Sequence, residues 1–380
     1  MMSWRRRRII PSEGYLLLLV GILIGFLLFT IISAVFSLEA LKSLIPGEKK
    51  HTLHVLYTSE KQSWMEEVVP MFVEKFKEEH GYEIRVELTV AGSHETVNLI
   101  LHGSVKPVVW SPASSIWIPY INYKWKKLGY RYALVEEWEP VLITPTVIVT
   151  WRSFLEKYKV TGFLSLYELA KRGVEFKYGH PDPMLSNGGV TAVLLEIAEA
   201  AHKPVDELTV EDLVDPHVQE IVKTIESKAV YYGRSTGFFG RWAVENGPSA
   251  ITVFSVYENV VIDNSVKALR KWNDQLVAVY PSFGTILNDH PFAILNAPWV
   301  GEEEKAIAKE FIQFLLSKEA QEKAVKHGFR PVRSDVELDP EVFSPENGVS
   351  YTLNVTFHNP PKGEVLDGLF TVWVKLRSRG

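Results

Sequence analysis

Early in this chain one layout recurs three times, and it restricts the fold more than any other feature. An apolar run, LHVLYT (53–58), ends in Ser59. Residues Ile84, Val86, Leu88 and Val90 alternate as a strand and run into AGSH (91–94). A third run, VVW (108–110), leads into SPASS (111–115). Helical sequence follows each run, with Met65, Val68, Val69, Phe72 and Phe76 forming the first apolar stripe. Strand, small hydroxyl residue and helix in succession describe parallel strands joined by crossover helices, whose turns fall on one edge of a sheet. Hydroxyls and helix-start N–H groups then converge on that edge, where an α/β protein holds a ligand. Serine is also a good helix N-cap, so any one of the three can be explained by capping alone. Ser63 with Glu66 fits a capping box for the first helix.

The layout returns at FKYGHPDPMLSNGG (176–189). The prolines around Asp182 stop the strand, and Ser186 and Asn187 precede a helix whose apolar residues are Val190, Val193, Leu194 and Ile197. Further copies lie at YYGRSTG (231–237), at AITVFSVYEN (250–259) and at LVAVYPSFG (276–284), with a strand at 291–295 and helices at 302–316 and 318–326. Between the two groups, VLITPTVIV (141–149) is strand-like but contains Pro145, which suits an edge or a segment crossing between lobes.

The amino terminus reads as a membrane anchor. Residues 14–38 carry no charge, and the apolar run 15–36, as a helix, would reach about 33 Å, enough for a hydrocarbon core of about 30 Å. Arg5 to Arg8 before it place the start in the cytoplasm and the body outside. A cleaved signal peptide is the competing reading, but its apolar region is shorter and no clean A-x-A site follows.

Several classes are excluded. The chain has no cysteine, which removes disulfides, thiol nucleophiles and cysteine metal sites. Subtracting Arg5 to Arg8 and Glu13 from the 41 basic and 46 acidic residues leaves 37 against 45, an acidic body that argues against nucleic acid as a partner. The 11 histidines include no H-E-x-x-H and no close pair on a helix face, so no metal site or other cofactor is expected.

The segments GSHETVNLILHG, VVWSPASSIW, FKYGHPDPMLSNGG, YYGRSTGFF and VYENVV, with DHPFAILNAPW and FIQFLLSKEAQEKAVKHGFRP most specific among them, carry a resemblance. Over residues 53–331 the chain resembles extracellular solute-binding proteins of ABC transporters, in the class that includes molybdate-type and family 1 binding proteins; PPKGEVLDGLFTVWVKL also fits. The resemblance implies a two-lobed α/β fold of the periplasmic-binding-protein type II class, closing on a ligand by hinge motion. The expected divisions are a basic stub (1–14), the anchor (15–36), a linker (37–50), lobe 1 (51–144), lobe 2 with crossing segments (145–260), the return (261–335) and a carboxyl-terminal extension (336–380). No counterpart is recognised for residues 334–359.

The ligand-binding positions carried over are Thr58, Ser59, Gly92, Ser93, Ser114, Ser115, Asp182, Ser186, Asn187, Ser235, Thr236, Tyr257 and Glu258. The implied role is non-enzymatic capture of a small polar or anionic solute outside the membrane and its delivery to an ABC transporter permease. Asp182 and Glu258 pull instead towards hydroxyl groups or a cation. Two alternatives stand beside this role: a tethered sensor or assembly component of the same fold, and a serine hydrolase. For the last, GRSTG (233–237) matches G-x-S-x-G, with Ser235 as nucleophile and His290 as base, although adjacent Asp289 and His290 cannot easily serve one triad.

Overall fold

A computed structural model describes residues 51–377. Among these residues no helix is long and apolar enough to cross a membrane, and the expected anchor at 15–36 lies outside them.

The first sheet is the one the repeated layout requires. Strands β1 (Thr52–Thr58), β2 (Arg85–Ala91) and β3 (Val109–Ser111) are parallel in the order β2-β1-β3, so their carboxyl ends share one edge. Strand β11 (Pro291–Ile294) joins β3 antiparallel, and β4 (Trp138–Pro140) completes the sheet beyond it. The helix Gln62–His80 buries Trp64, Met65, Val68, Val69, Phe72 and Phe76 and ends at Gly81, whose φ of 76° is the left-handed conformation that glycine adopts without strain. Its start corrects the expected capping box. A 3₁₀ turn, Ser59–Lys61, runs straight into the helix, and Lys61 at the N-cap makes no side-chain capping bond. Ser63 Oγ instead donates to Asp263 (3.2 Å), while Glu66 accepts from Gln62 (2.8 Å).

The second sheet is assembled on β5 (Leu142–Trp151). Strand β12 (Arg330–Pro331) pairs with Leu142 and Ile143, and β10 (Thr285–Asn288) with Thr144 and Pro145. Beyond them, β8 (Val253–Tyr257) pairs with Thr146 to Thr150 and β9 (Leu276–Val279) with Ile148 to Trp151. β5 is therefore not an edge strand. Pro145 is tolerated because it is registered only against Leu287 of β10, between the stretch paired with β12 and the stretch paired with β8. Strand β13 (Phe357–His358) extends the sheet from β10, and β6 (Tyr178–Pro181) and β7 (Ala229–Gly233) form a parallel pair beside β8, where Lys177 O accepts from Thr252 N and Val253 N.

The end of the chain packs on this body. The helix Gly363–Arg377 buries Val365, Leu366, Leu369, Phe370, Val372 and Trp373 in the same apolar cluster as the first sheet's helices. The stretch at 334–359 wraps around Arg330, whose guanidinium donates to Ser350 O (2.8 Å) and Tyr351 O (3.0 Å) and lies over the Phe343 ring.

Candidate ligand-binding cleft

Three hydroxyls at helix starts beside the cleft are not caps. Ser186 precedes the helix Asn187–Ala201, Ser235 precedes Thr236–Asn246 and Tyr257 precedes Glu258–Trp272, each in extended backbone conformation. None makes a side-chain capping bond; their polar atoms face the other lobe or one another. Ser59 Oγ, at the end of β1, lies 2.6 Å from Ser235 Oγ and accepts from Gly237 N (3.1 Å), an N–H in the first turn of Thr236–Asn246. Such N–H groups have no partner within their own helix, so Ser59 satisfies one from the opposite side. Ser186 Oγ is 3.1 Å from Thr236 Oγ1.

Asn187 is the centre of the second half of the site. Its Nδ2 donates to Tyr257 OH (2.8 Å) and Asn288 Oδ1 (2.7 Å), and its Oδ1 accepts from Trp117 Nε1 (2.9 Å). Backbone meets backbone nearby. Glu95 N, in the first turn of Ser93–Leu101, donates to Leu185 O (3.0 Å). A Cβ on Gly92 would stand 2.4 Å from that same Leu185 O, and one on Gly237 would stand 2.5 Å from Ser59 O, so both positions need glycine for the approach itself. Arg234 Nε donates to Glu95 Oε2 (3.1 Å) at the rim.

Behind the hydroxyls lies a buried ionic group that the sequence did not indicate. Lys61 Nζ donates to Thr58 Oγ1 (2.6 Å), Glu60 Oε1 (3.2 Å) and Pro112 O (3.2 Å), and lies 3.4 Å from His290 Nδ1. Thr58 Oγ1 also bonds Glu60, and Asn259 Nδ2 donates to Glu60 O (3.1 Å). Burial drives the Glu60 carboxyl up, but Lys61 and the His290 bond overcome it and leave its pKa at about 2. Burial lowers Lys61 to about 8 against the pull of Glu60, so the pair is charged at neutral pH. His290, lowered by burial and by Lys61, sits at φ 37° with Nε2 unpartnered.

The candidate positions thus fall into groups. Thr58, Ser59, Ser186, Asn187, Ser235, Thr236 and Tyr257 are brought together, and Gly92 and Ser93 border them, with Ser93 Oγ accepting from Ala113 N (3.1 Å). Asp182 turns on its own loop, accepting from Met184 N (2.9 Å) and donating its N–H to Gly233 O (2.7 Å). Ser114 Oγ accepts from Ile116 N (3.4 Å), and Ser115 N donates to Asp289 Oδ1 (2.7 Å). Glu258 is engaged elsewhere: Arg330 holds it with two bonds of 2.8 and 2.9 Å, and Tyr280 OH bonds it as well. The nucleophile pattern does not assemble. Ser235 bonds a hydroxyl, whereas His290 Nδ1 is held by Lys61 and Glu60 and Asp289 by Ser115. His94, at the second turn, stacks on Trp117 (5.3 Å) and on Phe370 (4.4 Å), which ties the carboxyl-terminal helix to the cleft.

A family model for bacterial extracellular solute-binding proteins matches residues 53–330, and the chain belongs to that family. Among solved structures it is similar to the sulfate-binding protein SubI from Mycobacterium tuberculosis H37Rv (15% identity, TM-score 0.58, covering 86% of this chain and 99% of that one). It is similar too to a periplasmic thiamin binding protein (15%, TM-score 0.60, 88% and 97%) and to the ferric binding protein from Campylobacter jejuni (14%, TM-score 0.57, 86% and 98%). The two-lobed periplasmic-binding-protein fold is common to them; their names differ in solute, so the likeness carries the fold and no ligand. No curated protein matches the chain.

Proposed function

We propose that this chain captures a small polar or anionic solute between its lobes and delivers it to an ABC transporter permease, with residues 15–36 tethering it to the membrane. One observation carries the reading: two hydroxyls and a helix-start N–H from beyond the ends of β1 and β7 meet at Ser59, Ser235 and Gly237, buried and aimed at one another instead of at their own helices. That is the donor set an oxyanion or polyhydroxyl solute requires. The Lys61–Glu60 pair cancels its own charge, so the neutral donors do the recognising. The apolar run behind four arginines supports the tether.

The test is a thermal-shift and calorimetric screen of the full chain in detergent against sulfate, molybdate, phosphate, sugars and amino acids. A solute at about 100 times its dissociation constant adds about 2.7 kcal/mol of stability. A shift from one class that Ser59→Ala and Asn187→Ala both weaken supports the cleft. A shift that survives both substitutions moves the binding site elsewhere.

A further inference from the structure

We infer that the second lobe holds a divalent transition-metal ion, of the zinc or manganese kind, between His180, Glu196 and Glu226. The three come from the end of β6, the middle of Asn187–Ala201 and the end of the helix Pro216–Glu226, and one ligand atom of each lies within 4.8 Å of the others. His180 and Glu196 are fully buried, and the Glu226 side chain is 8% exposed.

The hydrogen bonds around the cluster occupy the outer atoms and leave the inner ones facing each other. His180 Nδ1 lies 2.6 Å from Pro181 O, and because a carbonyl only accepts, Nδ1 carries the proton. Nε2 is then the ring nitrogen left to bind an ion, and it faces Glu226 Oε1 at 2.9 Å. Tyr178 OH donates to Glu196 Oε1 (2.7 Å), and Tyr232 OH donates to Glu226 Oε2 (2.6 Å). Glu196 Oε2 is buried with no hydrogen-bond partner. Ring nitrogen fixed by a carbonyl and carboxylates fixed by hydroxyls are the outer-shell arrangement that orients metal ligands. An ion with bonds of about 2.0–2.2 Å holds tetrahedral ligand atoms about 3.3–3.6 Å apart, a spacing between the 2.9 Å of the His180–Glu226 pair and the 4.8 Å that bounds the cluster. Two carboxylates and a neutral imidazole around a divalent ion also sum to zero charge, which makes their burial tolerable. The Trp373 ring covers the cluster from the carboxyl-terminal helix, with its centroid 5.4 Å from that of His180 and 5.3 Å from that of Tyr232.

The experiment uses the full chain, purified in detergent without chelator. Metal content is measured by plasma mass spectrometry, and unfolding is followed after chelation and after adding zinc or manganese chloride. The expected result is close to one equivalent per chain and a rise in melting temperature on adding the metal. Glu196→Gln/Glu226→Gln should abolish both, and Tyr232→Phe, which leaves the three ligands in place, should weaken affinity about 10- to 100-fold. Cobalt substitution gives visible absorption bands that report the ligand set directly and are readable in Tyr232→Phe even if the double variant does not fold. Absence of retained metal together with no shift at millimolar zinc or manganese overturns the inference and leaves a proton shared between the carboxyls. Retention or a shift unchanged in the double variant, or a cobalt affinity unchanged in Tyr232→Phe, overturns it too, by locating the ion elsewhere.

Discussion

Ser59 Oγ and Ser235 Oγ lie 2.6 Å apart across the cleft, although 176 residues separate them in sequence. Each serine follows a strand and stands at the start of a helical segment, so the bond joins two copies of the same local design. Removing the Ser235 hydroxyl should cost about 1 kcal/mol, the usual net worth of such a bond, because Ser59 retains Gly237 N–H as a donor, whereas removing the Ser59 hydroxyl strands that N–H as well and should cost more. The double variant Ser59→Ala/Ser235→Ala should lose less than the sum of the two single losses in urea unfolding. Strict additivity would mean that the two hydroxyls do not interact in solution.

Gly237 and Gly92 set how closely the lobes approach. Gly237→Val places a branched side chain where a single Cβ would already meet Ser59 O at 2.5 Å. The lobes should be held apart, raising the radius of gyration in small-angle scattering and removing solute binding while the far-ultraviolet dichroism stays native. An unchanged radius would show that the approach can yield locally.

Arg330 and Glu258 form a partly shielded ion pair in which the carboxylate is fully buried and the guanidinium side chain is 12% exposed. Arg330→Met leaves that carboxylate without its cation and should lower unfolding free energy by about 3–5 kcal/mol. Glu258→Gln, which keeps an acceptor for Tyr280 and Arg330, should cost less. Equal losses in the two variants would mean that stranding the Glu258 charge costs nothing beyond the loss of the pair itself.

The Lys61–Glu60 pair obeys the same rule with both partners buried. Lys61→Met should cost about 3–5 kcal/mol by stranding the Glu60 charge, and Lys61→Met/Glu60→Gln should recover much of it. Thermal unfolding of the two variants at pH 7 gives the comparison; a double variant no more stable than the single would assign the loss to packing.

His94 makes stability depend on pH. Burial, chiefly, draws its pKa down from 6.5 to about 4, with Lys124 acting in the same direction and the Pro183 carbonyl and Asp182 opposing. Between those values the unfolded chain takes up a proton that the folded chain does not. Stability is therefore intact above pH 6.5 and declines as pH falls towards 4, by at most about 1.4 kcal/mol per unit. His94→Phe keeps the stack on Trp117 and Phe370 and should flatten this part of the profile. Parallel profiles for the two proteins would assign the decline to other groups.

The strands, the parallel order of the first three and the polar loops after them were legible because each depends on neighbours in sequence. Met65, Val68, Val69, Phe72 and Phe76 fall on one buried face as their spacing requires. What a serine at a helix start bonds to was not legible, since capping its own helix and reaching across to Ser59 use the same local sequence. The Glu60–Lys61–His290 group depends on two turns that lie 229 residues apart, and nothing near Lys61 announces that it is buried. Glu258 reads as a cleft acid until Arg330, 72 residues later, is placed beside it. Pro145 suggested an edge or a crossing segment because a proline cannot donate to a neighbour; β5 is no edge, and its neighbours change around that residue. His180, Glu196 and Glu226 gave no metal pattern because they come from one strand and two helices, with no short spacing between them.

The mutual bonding of the cleft hydroxyls has a thermodynamic consequence for the function proposed above. A solute arriving at Ser59 or Thr236 exchanges partners with Ser235 or Ser186, so each new bond yields only the difference between two similar hydrogen bonds, a fraction of the roughly 1 kcal/mol of a whole one. The paired hydroxyls thus compete with the ligand for one another. A solute prevails by offering what a second hydroxyl cannot, such as a net charge or several acceptors on one atom, and the hydroxyl pairs themselves act as the filter.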